Sequence, residues 1–229
     1  VCQEVYRQQS WMYHHRSHSI ADRIVSLSQP HVRPIVRGKA KSPVEFGAKI
    51  SVSLVDGFSF VDTLSWDAFN ESGDLIDQVE SYHQRFGCYP ESVHVDKIYR
   101  TRENRHFCKL HGIRMSGPAL GRPKQKTDLN KVALAQERRQ QRQDELDRNA
   151  IEGKFGQGKR RFTLDRIMAK LAETSEAVIM VSFIVMNLEK ILRQVLLFCF
   201  GLLGLLWLGT QGLGERVLTS RKWDVYREF

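Results

Sequence analysis

Residues 46–64, FGAKISVSLVDGFSFVDTL, decide the local architecture of this 229-residue chain. Apolar side chains alternate with small or polar ones from residue 46 to residue 55, at the period of two that is typical of a half-buried strand. Asp56-Gly57 is a hairpin turn pair, and residues 58–64 supply the partner strand. The segment therefore predicts an antiparallel pair of strands.

A helix and a third strand follow the hairpin. Apolar residues recur at helical spacing from Leu75 to Gly87, and the short apolar run Ser92–Val95 is a strand that Asp96 ends. The order is strand, strand, helix, strand. It predicts a mixed α/β fold class in which a sheet is flanked by helices.

The remaining segments predict mostly helix. A short helix is expected over 101–110, a brief strand over 112–115 and a long polar helix over 132–148. Residues 164–197 fit either a helical hairpin or one long helix. The following apolar run, 195–209, has 15 residues, which is shorter than the roughly 20 that a transmembrane helix needs, so membrane association is an alternative but not the expectation.

Three divisions of the chain follow from these patterns. Residues 1–45 are expected to form a helix and a basic extended connector, because Pro30 and Pro34 stop any helix there. Residues 46–195 are the expected core, and residues 196–229 are an apolar tail of uncertain order. The connector could follow a phosphate backbone or be a solvated loop, and both interpretations stay open.

The charge of the chain is concentrated in its middle third. The net charge is +9, and residues 97–166 carry 19 Lys/Arg against 8 Asp/Glu. This excess favours a polyanionic partner, DNA or RNA, over a merely solvated surface. Four widely separated cysteines without a CxxC pair suit free thiols in a reducing cytosol.

Two carboxylates occupy settings in which metal-ion chemistry is plausible. Asp96 ends a strand, and Glu152 shares one helical face with Arg148, Phe155 and Lys159, because these four positions lie within about 60° at 100° per residue. A carboxylate between two cations can bind a hard divalent ion beside phosphates. Both carboxylates also have a purely structural interpretation. Glu152 could form an ion pair with Arg148, and Asp96 could cap the turn that follows it.

The combination of these residues resembles the DDE transposases of bacterial insertion sequences. The resemblance rests on Asp96 after a short strand, on the spacing Arg148-x3-Glu152-x6-Lys159 and on the strand-strand-helix-strand order, and it covers roughly residues 1–195. It implies a ribonuclease-H-like fold, incomplete at the N-terminus here. It also implies a bacterial cytoplasmic enzyme that hydrolyses a phosphodiester at the element's end and joins the freed 3′-hydroxyl to target DNA.

The resemblance also implies a set of site residues. Three carboxylates hold two Mg²⁺ or Mn²⁺ ions in such enzymes, and Asp96 and Glu152 map to the second and third. Arg148 and Lys159 map to basic residues that contact DNA near the scissile phosphate. A Tyr often found three residues before that Arg is replaced by Glu145. The basic character of the chain adds further expected DNA contacts, namely Lys97, Arg160, Arg161, Arg33 and Arg37.

The first carboxylate has no good candidate in this sequence. Asp22 lies beside an apolar pair but ends no clear strand, whereas Asp56 and Asp62 fall on the wrong strands. The expectation is therefore a truncated transposase that binds DNA weakly, possesses no strand-transfer activity alone and could form a homo-oligomer. The alternative is a non-catalytic DNA-binding remnant.

Overall fold

The computed structural model describes residues 1–36, 44–67, 69–118, 121–122, 127 and 130–221, with side chains as far as residue 204. The chain divides into two compact units, Val1–Ile184 and Val185–Phe229. The predicted DNA contact Arg37 lies outside the described residues, as does the rest of the predicted connector from residue 38 to residue 43.

The N-terminal segment is a helix followed by a short pair of strands. Helix α1 spans Cys2–His14, and it supplies the helix predicted within residues 1–45. The chain then leaves helical geometry, with a φ of 48° at Arg16 and 52° at Asp22. Strand β1, Pro34–Val36, pairs antiparallel with β2, Val44–Phe46.

The predicted hairpin is confirmed. Strand β3, Lys49–Val55, pairs antiparallel with β4, Phe58–Ser65, and Val55 faces Phe58 across the turn. Asp56 and Gly57 have φ values of 48° and 75°, the two positive values that a tight hairpin turn with right-handed strand twist requires. Gly47, with a φ of 138°, separates β2 from β3.

A small βαβ unit forms the core of the first compact unit. Helix α2 spans Asp74–Phe86 and ends at Gly87 in the left-handed conformation. Strand β5, Ser92–Val93, continues through helix α3, Arg102–Leu110, to strand β6, Arg114–Met115, which pairs parallel with β5. The buried side chains between these elements are Leu75, Val79, Cys108 and Ile113. The predicted mixed α/β class and the strand-strand-helix-strand order are thus confirmed, and the strands within the described residues form three two-stranded sheets.

Helix α4 is much longer than the sequence predicted. It spans Lys131–Arg161 and passes through three glycines instead of ending near Arg148. Tertiary contacts support this part of the helix, because the Phe155 ring packs edge-on against Phe183 at 6.1 Å between centroids and Lys154 Nζ donates to Gly57 O at 3.2 Å. Packing therefore offsets the low helix propensity of glycine.

The C-terminal segment is one helix and not a hairpin. Helix α5 spans Ala172–Arg221. In the second compact unit, large apolar side chains of this helix are exposed, among them Leu188, Leu192, Leu197, Phe198, Phe200 and Leu203. Among the residues that the structure describes, we find no helix with the length and apolar character needed to cross a membrane.

Candidate functional site

Asp96 begins a short 3-10 turn at the end of the β5 segment. Its backbone is extended, with φ −72° and ψ 166°, and its Oδ1 accepts a hydrogen bond from Lys97 N at 2.7 Å. The structural role predicted for Asp96, a cap of the following turn, is thus confirmed. The carboxylate nevertheless remains 61% exposed, so its other oxygen is accessible from solvent.

The turn that carries Asp96 is held from two sides by buried polar groups. Asn104, only 2% exposed, donates from Nδ2 to Tyr99 O at 2.7 Å and to Ser72 O at 2.8 Å. Ser116 Oγ accepts from Val95 N at 3.2 Å, just before Asp96. Because each of these bonds satisfies a backbone group of the turn or of its neighbour, the position of Asp96 is fixed by the βαβ unit.

Tyr99 is the last residue of the same turn, and its side chain is a neutral phenol. Its hydroxyl donates to Glu71 Oε2 at 3.5 Å. Burial, with the nearby Glu71 carboxylate as the next cause, raises the pKa of Tyr99 to about 12. The hydroxyl therefore keeps its proton at neutral pH and acts as a donor next to the Asp96 turn.

Helix α4 is attached to the βαβ unit through Asp144. This carboxylate is 5% exposed and accepts both guanidinium nitrogens of Arg114, at 2.8 and 2.9 Å, with a third bond from Gln140 at 3.0 Å. His94 Nδ1 lies 3.6 Å from the same carboxylate. The bonds from Arg114 lower the pKa of the Asp144 carboxyl, so it is ionised at neutral pH.

One helical turn further along α4, Arg148 reaches Asp96. Its Nη1 donates to Asp96 Oδ1 at 3.3 Å. Two residues of extended chain, from His94 to Asp96, advance about 6.6 Å. Four residues of helix, from Asp144 to Arg148, advance about 6 Å. The two segments therefore stay in register, so that His94 faces Asp144 and Asp96 faces Arg148.

Glu152 lies on the next turn of α4, about 6 Å along the axis from Arg148. It is exposed, and the structure gives it no ion pair with Arg148, whose guanidinium is directed at Asp96 instead. The predicted i,i+4 pair is thus not formed. The structure therefore brings Arg148 to Asp96, whereas Glu152 is connected to this pair only through its position one turn further along α4.

A second group of possible metal ligands consists of His94, Asp144 and Asp147, whose ligand atoms lie within 4.8 Å of one another. The Asp144 oxygens, however, already accept three hydrogen bonds, two of them from a cation. Arg114 therefore supplies the positive charge that a metal ion would supply. The arrangement is that of a clamp between α4 and the βαβ unit.

The predicted basic contacts occupy different places. Lys97, Lys159 and Arg160 are exposed, and Arg161 lies over the Phe162 ring at 5.5 Å. Arg33 is half-buried and donates to backbone carbonyls of its own loop, those of Pro30 and Val32. Of the predicted basic residues on α4, the structure therefore shows Arg148 in contact with Asp96, while Arg33 is engaged in its own loop.

Among the described residues, none of the three candidates for the first carboxylate belongs to a group of metal ligands with Asp96 or Glu152. Asp22 is exposed in a loop with positive φ, and Asp56 occupies the hairpin turn. Asp62 accepts from Ser53 and pairs with Arg85 at 3.2 Å. Within the described residues, the one group of three or more possible metal ligands is His94, Asp144 and Asp147, which contains neither Asp96 nor Glu152.

Sequence reasoning missed the clamp formed by His94, Arg114 and Asp144. Its signal was present, because Asp144 stands four residues before Arg148 and His94 two residues before Asp96. Matching these two spacings would have paired the helix with the strand segment. Arg114 carried no such signal, since its approach depends on the path of β6.

The comparisons with known proteins bear on the same segment. Residues 93–189 match a family described as the transposase DDE domain. No curated protein and no solved structure gives a significant match. The matched segment begins within β5 and includes Asp96, Arg148, Glu152 and Lys159. The predicted resemblance to DDE transposases is therefore confirmed over residues 93–189, the part of the chain that matches the transposase DDE domain.

Proposed function

We propose that this chain is the catalytic portion of a DNA transposase that cuts and joins DNA at the ends of an insertion sequence in the bacterial cytoplasm. The observation that carries the proposal is the ion pair of Arg148 with Asp96, one helical turn from Glu152 on α4 and within the segment that matches the transposase DDE domain. We further propose that the βαβ unit and the hairpin belong to a ribonuclease-H-like fold, whose strand and helix order they share.

The donor chemistry of the two carboxylates suits a divalent metal ion. Mg²⁺ and Mn²⁺ prefer carboxylate oxygens, and both Asp96 and Glu152 are exposed at the surface that Arg148 joins. These two residues would hold the ion, which would supply charge neutralisation at the phosphate and a more acidic water. One oxygen of Asp96 already accepts from Lys97 N and Arg148, so the other is the one open to a ligand.

Arg148 is the residue that we expect to change partners when DNA binds. Its ion pair with Asp96 is at the surface and 3.3 Å long, which is a weak interaction that a phosphate can displace. A guanidinium can hold a phosphate through two parallel hydrogen bonds. Lys159, about 16 Å further along the helix, would contact a separate phosphate of the same DNA.

We also propose that the chain alone binds DNA but does not complete strand transfer. Among the described residues no group of three metal ligands includes Asp96 or Glu152, whereas a two-metal mechanism in this family uses three carboxylates. This observation also supports the alternative that the chain is a non-catalytic DNA-binding remnant. The two candidates differ in whether Asp96 and Glu152 hold a metal ion.

The deciding experiment is a Mn²⁺ titration followed by electron paramagnetic resonance, with and without duplex DNA. We expect the wild-type chain to bind Mn²⁺ and to lose that binding in both Asp96→Asn and Glu152→Gln. The matched control is Asp147→Asn, which removes an exposed carboxylate of the clamp and should leave Mn²⁺ binding intact.

Two outcomes would contradict the proposal. If Mn²⁺ binding survives both site substitutions, the remnant is the better account of the chain. If Asp147→Asn abolishes the binding instead, the metal site is at the clamp. In a parallel assay, Mn²⁺-dependent nicking by the wild-type chain that disappears in Asp96→Ala would contradict the expected inactivity.

A further inference from the structure

The N-terminal half of α4 is almost entirely exposed within the described part of the chain. From Lys131 to Gln143 every side chain except Leu134 is exposed, and Val132 is 71% exposed. These 13 residues extend about 20 Å. A helix in proteins is usually stabilised by an apolar face packed on a core. The exposure of this half of α4 therefore needs an explanation other than core packing.

Three unpaired arginines stand on this half of the helix. Arg138, Arg139 and Arg142 are exposed, and no carboxylate pairs with them among the described residues. Arg138 and Arg142 are one turn apart, a spacing at which like charges repel and destabilise a helix. Glu145 is also exposed, but the structure gives it no ion pair with Arg142. The isolated helix is therefore less stable with these residues than with neutral ones.

Two of these arginines, Arg138 and Arg142, belong to a continuous face that runs along the helix. At 100° per residue, the positions Arg138, Arg142, Asn149, Gly153, Gly156 and Arg160 lie within about 60° of one another. We name this the outer face. A Cβ at Gly153 would meet nothing within 4 Å, so the middle of the face is open. The Arg160 guanidinium folds back along the same face over Gly156, where a Cβ would be 3.2 Å from its Nη1.

The length of the outer face matches the repeat of duplex DNA. Arg138 and Arg160 are 22 residues apart, or about 33 Å along the helix axis. One helical turn of B-DNA is about 34–36 Å. Arg138 and Arg142 at one end and Arg160 at the other can therefore meet backbone phosphates one turn apart. Asn149, Gly153 and Gly156 lie between them on the face, and the exposed Glu145 lies about 20° outside its edge. Glu152 lies about 70° around the axis, so DNA on this face would pass beside the candidate active site.

We propose that the outer face of α4, with Arg138 and Arg142 at one end and Arg160 at the other, docks the backbone of duplex DNA, with Arg139 beside the first end, about 40° further around the helix. The proposal rests on the proposed function, since it concerns the same substrate. It adds a binding surface about 110° around the helix from Arg148. The proposal also accounts for the unpaired arginines, because bound phosphates relieve the repulsion between Arg138 and Arg142.

The first test measures duplex binding by fluorescence anisotropy across a series of NaCl concentrations. In the variant Arg138→Gln/Arg139→Gln/Arg142→Gln, we expect the slope of log K against log salt to become shallower by about 2 to 3, because each neutralised phosphate contributes about 0.9 to that slope. The control variant Arg7→Gln/Arg166→Gln/Arg193→Gln removes the same charge elsewhere and should keep the wild-type slope. Circular dichroism should show equal or greater helicity in the α4 variant, because the repulsion is gone.

The second test uses Gly153, which has open space around it. Gly153→Glu should weaken duplex binding, Gly153→Lys should strengthen it, and the isosteric neutral control Gly153→Gln should fall between them. All three should raise helicity, since each replaces glycine within a helix. Weaker binding in Gly153→Glu therefore reports charge at the outer face and not unfolding.

The outcomes separate this inference from the proposed function. A salt slope in the α4 triple variant equal to that of the wild type would overturn the outer-face proposal while leaving the Asp96–Glu152 site untouched. Equal affinity for single-stranded and duplex DNA would overturn the choice of a duplex as the occupant. A wild-type chain with no salt-dependent DNA binding would overturn both this inference and the DNA substrate of the proposed function.

Discussion

At the scale of single residues, Asp144 is the carboxylate on which the site geometry most depends. Asp96 and Glu152 are exposed, whereas Asp144 is 5% exposed and holds Arg114 through two short hydrogen bonds. Removing it would leave the guanidinium without its partner and detach α4 from the βαβ unit. A residue outside the chemistry therefore sets the position of the helix that carries Glu152.

We predict that Asp144→Ala lowers the free energy of unfolding by about 2 kcal/mol, since hydrogen bonds to charged groups contribute about 1.5–3 kcal/mol. The measurement is urea denaturation followed by circular dichroism. Asp147→Ala, in which a carboxylate 43% exposed is removed, serves as the control and should change stability by less than about 0.5 kcal/mol. Equal effects of the two substitutions would show that the clamp adds no stability.

The same carboxylate predicts a loss of stability in acid. Its pKa is lowered in the folded chain by Arg114, so its contribution is fully present above the pKa of an unfolded aspartate, about 3.9. That contribution is lost as the pH falls below about 4 through the lower folded value. In urea titrations at pH 7 and pH 3, Asp144→Asn should lose less stability between the two conditions than the wild type does. A decrease of the same size in both proteins would contradict the assignment.

Tyr99 predicts the opposite dependence in alkali. Its pKa of about 12 in the folded chain is above the value of about 10 for a free tyrosine, so its contribution is present below pH 10 and is lost as the pH rises toward 12. Ultraviolet titration of tyrosinate should show one late-titrating group that is missing in Tyr99→Phe. If the late group persists in that variant, the buried phenol is another tyrosine.

At the scale of elements, α4 carries both the candidate site residues Arg148 and Glu152 and the outer face. One side of this helix packs through Phe155 and Lys154, and the opposite side carries the outer face with Gly153 and Gly156. Glycine inside a helix lowers its stability by about 1 kcal/mol relative to alanine. Two glycines on the outer face indicate that space for a partner to approach the helix closely is favoured there over helix stability.

Two alanine substitutions test the space at this face. Gly153→Ala should raise the free energy of unfolding by up to about 1 kcal/mol, because a Cβ there meets nothing. Gly156→Ala should raise it less, because the Arg160 guanidinium at 3.2 Å must move aside. Urea denaturation of both variants measures the difference. A larger gain at Gly156 than at Gly153 would show that Arg160 does not lie over the glycine.

At the scale of the whole molecule, the chain consists of two units with different surface chemistry. The first unit, Val1–Ile184, contains the βαβ core, the site and α4. The second, Val185–Phe229, displays apolar side chains along α5, with Leu197 73% and Phe198 69% exposed. Exposed apolar surface of this kind favours association with other apolar surfaces in solution.

We predict that a chain ending at residue 195 binds duplex DNA with the affinity and salt slope of the full chain. The residues assigned to DNA and metal all precede that point, and the removed segment contributes mainly apolar surface. The shortened chain should also bind less of a hydrophobic dye and elute later in size-exclusion chromatography. A tenfold or greater decrease in DNA affinity would place part of the binding surface in the removed segment.

The sequence by itself was enough for the features that depend on neighbouring residues. The period of two and the Asp56-Gly57 pair determined the β3–β4 hairpin, and local spacing determined α2, α3 and the turn after β5. The Arg148–Glu152–Lys159 spacing was also local, which is why the family resemblance was visible before the fold was known.

Only the tertiary structure decided the features that depend on distant contacts. The extent of α4 through Gly153, Gly156 and Gly158 could not be read from helix propensity, because packing of Phe155 on Phe183 offsets that cost. The partner of Arg148 was likewise undecided, since the local pair with Glu152 competes with Asp96, 52 residues away along the chain. The clamp of Arg114 on Asp144 settles that competition, because it holds α4 one turn from the point where Arg148 meets Asp96.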